Sequence, residues 1–172
     1  MEWKEYRNSG VLLQYPANWY VRDKQLEVRE MIVMISEEQL DSTCDNESAE
    51  LIRNVNLAAE LLDLDNEDFK TIKDNPMRIL EQYVKNKLKI LEVNIENFKL
   101  LERENSILSG YLSTKIIYTG KFLNNSLKWA QFFFVVDKDI ISTLTATALE
   151  SKFNEHFVTI IDKMVNSIEL VA

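Results

Sequence analysis

The sequence predicts an α+β protein: an antiparallel sheet of about six strands flanked by helices, an α/β/α sandwich. Three observations carry that expectation. Residues from Phe98 to Thr147 read as successive strands joined by short turns. Two amphipathic helical stretches interrupt or close the strands instead of alternating with each of them. The strand from Lys128 to Val136 is apolar on both sides, so both faces of the sheet need a cover.

The first strand is Val11 to Tyr15, stopped by Pro16, and Pro16-Ala17-Asn18 makes a turn because proline presets φ and asparagine tolerates turn geometry. Trp19-Tyr20-Val21 begins a second short strand or a bend. Met31 to Ile35 is a continuous apolar run, which reads as a strand buried on both faces. An acidic loop around Cys44 follows. The strand from Ile52 to Ala58 places Val55 and Leu57 on one face and Asn54 and Asn56 on the other.

Residues 60–75 read as an acidic surface loop leading into a short helix. The alternating acids from Asp63 to Asp68 suggest a calcium loop, but the glycine needed at its sixth position is missing, and Asp74 stands where the twelfth-position glutamate belongs. The first clear helix starts at Asn75-Pro76, an N-cap residue followed by proline at the first helical position. Leu80, Tyr83, Val84, Leu88 and Leu91 give it one apolar stripe, and Lys85, Lys87 and Lys89 are expected near its C-terminal end, where they favour the helix dipole.

The strands that follow form a meander. Phe98 to Glu104 is the first, Ser109-Gly110 opens the second, and Leu123 to Ser126 and Asp137 to Asp139 are hairpin turns. In the two-sided strand, Ala130, Phe132, Phe134 and Val136 point one way, and Trp129, Phe133 and Val135 the other. The next strand carries Thr143, Thr145 and Thr147 on one face, as expected nearer an edge or a wetter surface. A helix from about Glu150 to Asn166 closes the chain on a stripe of Phe153, Phe157, Ile160, Ile161 and Met164. There is no repeat and no linker, so residues 1–172 read as one domain.

Composition narrows the function. The 172 residues are 46% hydrophobic and 28% charged, which is ordinary for a globular chain. A net charge of −8, without a Lys/Arg stripe, disfavours nucleic acid as a partner. No segment reaches the length of a membrane span. The charged opening, Met1-Glu2-Trp3-Lys4-Glu5, has no apolar run behind it, so the chain as written reads as cytoplasmic, or as envelope or lumenal if a leader has been removed.

Reactive chemistry is sparse. The one cysteine, Cys44, lies among Asp41, Asp45 and Glu47, which oppose thiolate formation. The one histidine, His156, has no aligned acid or nucleophile on its helix and reads as packed or half-exposed. One His and one Cys do not make a zinc site. Three scattered glycines (Gly10, Gly110, Gly120) do not make a phosphate-binding loop. The sequence therefore points to no catalytic residue, no metal and no cofactor. Trp19 and Trp129 sit in apolar strand runs and read as core.

Four stretches resemble the PsbP-like α/β/α sandwich, in particular its DcrB-like bacterial branch. Val11 to Trp19 resembles an opening strand ending in Pro-x-x-Trp, here Pro16 and Trp19. Leu108 to Tyr111 resembles the glycine that starts the long strand after the helix. Gln131 to Val136 followed by Leu144 to Thr147 resembles the paired strands, and Phe153 to Ser167 resembles the closing helix with its Asn-Ser-Ile tail. The segments Glu37 to Glu50 and Glu60 to Asn75 are longer than in a minimal version. The resemblance implies a non-enzymatic protein that binds another protein on its sheet or at the sheet's edges, with no catalytic or binding residue to carry over.

Three functions can be separated. A bacterial protein-binding accessory or chaperone-like module, in its chaperone form, calls for a concave apolar sheet surface, in a homodimer. A carrier of a small apolar ligand or lipid calls for an enclosed pocket between sheet and helix, lined by Trp129, Phe133 and Phe153. A hydrolase calls for carboxylates or His156 assembled in a cleft. The first is the expectation.

Overall fold

Two charged and apolar strands, β1 (Trp3–Asn8) and β2 (Val11–Pro16), pair antiparallel from Trp3↔Pro16 to Asn8↔Val11. Gly10 takes φ +76, a conformation glycine adopts without penalty. The computed structural model describes residues 1–8, 10–23, 31–39 and 51–171. The loop around Cys44 lies outside these residues. A third short strand, β10 (Glu169–Leu170), adds to β2 and completes a small sheet in the order β1-β2-β10.

The main sheet is wholly antiparallel. Its strands are β3 (Tyr20–Asp23), β4 (Met31–Ser36), β5 (Asn54–Leu61), β6 (Glu96–Leu108), β7 (Tyr111–Phe122), β8 (Asn125–Asp137) and β9 (Ile140–Leu149). They lie in the order β3-β4-β5-β9-β8-β7-β6. The described residues thus hold ten strands in two sheets, more than the six or so expected. The surplus comes from elements with little burial to announce them: β1 buries only Tyr6 fully, and β10 is two residues long.

Among the described residues two helices cover the main sheet, one on each face. Helix α1 (Pro76–Asn94) begins as expected, with Asn75 Oδ1 accepting the Arg78 amide at 3.2 Å. It buries Ile79, Leu80, Tyr83 and Val84 against Ile116, Tyr118, Leu127, Trp129, Phe133 and Ile141. The helix runs further than its lysines suggested, and its last turn holds no basic residue. Residues 62–75 are a series of turns, not a short helix, anchored on the same cluster by Leu62 and Phe69.

Helix α2 (Glu155–Asn166) follows a 3-10 turn at Glu150–Lys152 and is capped by Asn154, whose Oδ1 accepts the Phe157 amide at 3.1 Å. It packs on the opposite face together with the small sheet. There Leu13, Val33, Leu57, Phe132, Phe134 and Phe157 belong to one buried cluster. Ser167 ties the layers together: its hydroxyl accepts the Gln14 amide and donates to the Met164 carbonyl, each at 2.8 Å.

Strand β8 supplies both clusters. Ala130, Phe132 and Phe134 face α2, while Leu127, Trp129 and Phe133 face α1, as period-two alternation requires. Two expectations need correction. The Met31–Ile35 run is not buried on both faces: Val33 and Ile35 are buried, but Ile32 and Met34 are only partly covered, because α1 lies over the other half of the sheet. Strand β9 is central, between β5 and β8, so its threonine face marks no edge; it is wetter at the partly exposed Thr143 and Thr145, while Thr147 is buried.

Candidate functional site

The side chains singled out for chemistry do not assemble. His156 is exposed on α2, beyond the packed or half-exposed state expected, because it lies one position outside the buried stripe that begins at Phe157. In the acidic loop, Asp63 Oδ1 and Asn66 Oδ1 accept the amides of Asp65 and Asp68 at 3.1 and 2.9 Å, so these side chains shape turns. Among the described residues no group of three His, Cys, Asp or Glu side chains is placed to hold a metal ion. Among them also, no helix is long and apolar enough to cross a membrane.

The aromatic residues proposed to line a carrier pocket are divided between the two layers. Trp129 stacks on Tyr118 (5.1 Å between centroids), and Phe133 meets the edge of Tyr83 (5.8 Å), both beneath α1. Phe153 lies beneath α2, edge-on to Phe157 at 5.0 Å. The sheet itself separates them, since Phe153 enters the turn that carries the chain to the α2 face. Trp19 is also core, stacked 6.1 Å from Phe157.

Where α1 leaves β5 and β9 uncovered there is a small polar cavity of about 170 Å³ lined by Glu60, Tyr83, Lys87, Gln131, Thr143 and Thr145 among others. Its groups satisfy one another. Tyr83 donates to Glu60 Oε2 at 2.5 Å, Lys87 Nζ lies 3.3 Å from the same oxygen, and Gln131 Nε2 donates to Thr145 Oγ1 at 3.1 Å. The threonine face thus has a structural account: it floors a wet gap beside the helix.

A larger opening lies at the outer rim of the same face. Strand β6 is thirteen residues long and, among the described residues, pairs only with β7. One side of its backbone ladder is open. Leu100, Leu101 and Ile107 are exposed along it, at 38, 47 and 69%. Between β6 and α1 runs an open cleft of about 650 Å³, lined by Arg78, Glu81, Gln82 and Lys85 of the helix, by Arg103 and Asn105 of the strand, and by Asp68 among others.

The cleft is cationic in an acidic protein. Lys70, Lys73 and Lys87 pair with Glu67, Asp65 and Glu60, whereas Arg78, Lys85 and Arg103 have no ion-pair partner among the described residues. Asp68 is engaged by the Asn86 amide at 3.0 Å. The sequence did not disclose this grouping. Arg78 and Lys85, seven residues apart, share a helix face, but Arg103 reaches them only because β6 doubles back beside the helix.

Two helices on opposite faces of an antiparallel sheet, with a small sheet beside one of them, define an α+β sandwich of the PsbP-like fold. No family model matches the sequence, and no curated protein matches it. The solved structures do. LpqN, involved in cell envelope biogenesis of Mycobacterium tuberculosis, superposes with a TM-score of 0.65 at 13% identity, over 99% of this chain and 91% of LpqN. Cyanobacterial PsbP (CyanoP) from Synechocystis sp. PCC 6803 gives 0.57 at 11% identity, over 98% and 92%. The Saccharomyces cerevisiae Ran-binding protein Mog1p gives 0.56 at 12% identity, over 99% and 96%. At these identities the likeness establishes the shared fold.

Proposed function

We propose that this protein acts by binding another protein, as a non-catalytic accessory factor built as one domain over residues 1–172. The observation that carries the reading is the long edge strand β6, open on one side among the described residues and bordered by exposed Leu100, Leu101 and Ile107. An unpaired ladder of this length can take a partner strand, and its charged residues and two register shifts guard it against indiscriminate pairing. That the Saccharomyces cerevisiae protein Mog1p is a Ran-binding protein supports a protein as the partner class. Within the fold, Pro16, Trp19, Gly110 and the Asn166-Ser167-Ile168 tail favour the DcrB-like bacterial branch.

The chaperone-like form of this reading has less support. It calls for a concave apolar surface, and the open part of the described sheet, around Asn56, Thr143 and Thr145, is polar. The carrier reading has none, since Trp129, Phe133 and Phe153 share no pocket. Affinity purification from the source cells followed by mass spectrometry tests the proposal. A stoichiometric partner that re-forms the complex from purified components is the expected result. Recovery of the protein alone, under mild and cross-linked conditions alike, would overturn it.

A further inference from the structure

We propose that β6 and the cationic cleft beside it receive one kind of occupant: an extended segment of a partner protein with acidic side chains at alternate positions. This rests on the protein-binding reading and specifies its surface and chemistry. The two halves of the surface are adjacent. A strand added to β6 would lie about 4.8 Å outside it, along the mouth of the cleft. Its side chains would alternate between the two faces of the sheet, with same-face neighbours about 6.8 Å apart.

The two faces of β6 carry opposite charge. Arg103 pairs across the ladder with Ile116, which packs under α1, so Arg103 points to the α1 face. Glu102 and Glu104 are opposite Ile117 and Lys115 and point to the α2 face. There the sheet's own Lys115 already serves Glu102, at 3.4 Å. On the α1 face, Arg103 is joined by Arg78 and Lys85, about 10 Å apart along the helix axis by their seven-residue separation. Acids on that face of an added strand meet Arg78, Lys85 and Arg103 against Glu81 and an Asp68 already engaged by Asn86; acids on the other face meet Glu102 and Glu104 against Lys99. A slip of one residue exchanges the faces and a slip of two restores them, so charge selects the face of the added strand.

The same residues disfavour self-pairing of β6 about its middle. In a two-fold antiparallel pairing of β6 with itself, centring on Glu102 places Glu102 opposite Glu102. Centring on Leu101 sets Lys99 against Arg103, and centring on Arg103 sets Arg103 against itself and Glu102 against Glu104. Directly opposed like charges destabilise these three pairings, whereas one centred on Asn105 opposes none, so the preference for a heterologous acidic strand rests on the unpaired cations of the α1 face.

The test uses a fluorescein-labelled peptide alternating Glu with Val, its Lys-Val counterpart, and the Glu-Val peptide N-methylated along one edge. The Glu-Val peptide is expected to bind at least about tenfold more tightly than the Lys-Val one at low salt. Arg103→Glu and Arg78→Glu, both exposed, should each weaken it about tenfold. N-methylation should abolish binding, and the β6 amides should gain protection from exchange. Equal binding of the Lys-Val peptide, no binding of the Glu-Val peptide, indifference to N-methylation, or protection confined to another edge would each overturn the proposal. If the cellular partner is captured undiminished by the Arg78→Glu/Arg103→Glu protein, this surface is wrong while the protein-binding reading stands. If the unaltered protein captures no partner, that reading itself fails.

Discussion

The Tyr111 hydroxyl bonds both backbone groups of Leu170, donating to its carbonyl at 3.1 Å and accepting its amide at 2.8 Å. One side chain at the start of β7 therefore fastens the last strand of the chain. Val171 adds a bond from its amide to the Gly10 carbonyl at 2.8 Å, so β10 is held from both sides. Tyr111→Phe leaves both Leu170 groups without this partner and should cost about 1–3 kcal/mol. Urea unfolding measures the loss, and faster exchange of the Leu170 amide relative to the β8 amides locates it.

Gly120 on β7 lies against the joint between α1 and β6. A Cβ there would come within 2.1 Å of Ile95 Cγ2 and 3.2 Å of the Glu96 carbonyl. Gly120→Ala should therefore destabilise by about 1–3 kcal/mol through overpacking. In the double variant Gly120→Ala/Ile95→Ala the clash with the methyl is gone. Its stability should exceed the value expected from adding the two single losses, which a thermodynamic cycle checks.

The β7–β8 turn is strained by its sequence. Leu123 and Asn124 both take positive φ, 49 and 63, as a two-residue hairpin turn of this hand demands. Asparagine accepts that conformation, but leucine pays about 1–2 kcal/mol for it. Leu123 is 49% exposed, so little burial is lost on replacement. Leu123→Asn should raise the unfolding midpoint in urea, with a gain on the order of 1 kcal/mol.

Arg53 makes three different contacts: Nε donates to the Lys152 carbonyl at 2.8 Å, Nη1 lies 3.1 Å from Glu37, and the guanidinium sits 5.9 Å from the Phe157 ring centroid. A planar fork can serve all three and an ammonium cannot. Arg53→Lys should therefore behave nearly as Arg53→Ala, each losing on the order of 1–2 kcal/mol. Rescue by lysine in a denaturation series would refute the geometric account.

The parts of this fold that were legible in the sequence were those whose local pattern reports a local cause. Asn75-Pro76 marks the start of α1 because capping is a matter of adjacent residues. Strand β8 was legible because Trp129, Phe132, Phe133 and Phe134 leave no solvent face. Strand β1 was not, since Trp3 to Asn8 is mostly charged and depends on pairing with β2. The threonines of β9 report the wetness of a face and say nothing of position across the sheet, so the sequence left an edge and a wetter surface as alternatives and the strand order decides between them. The cleft was the least legible of all. Arg78, Lys85 and Arg103 become neighbours only through the reversal at Ile95, and no spacing rule connects a helix to the strand that follows it.

Phe132, Phe133 and Phe134 are consecutive, yet they lie in two different clusters. The two layers of the molecule are therefore welded through a single run of backbone, and neither can melt while the other stays whole. Loosening β8 to free α1 also withdraws Phe132 and Phe134 from α2. Unfolding should then be one concerted event, in which loss of tryptophan packing beneath α1 (Trp129) and beneath α2 (Trp19) follows the same denaturant curve.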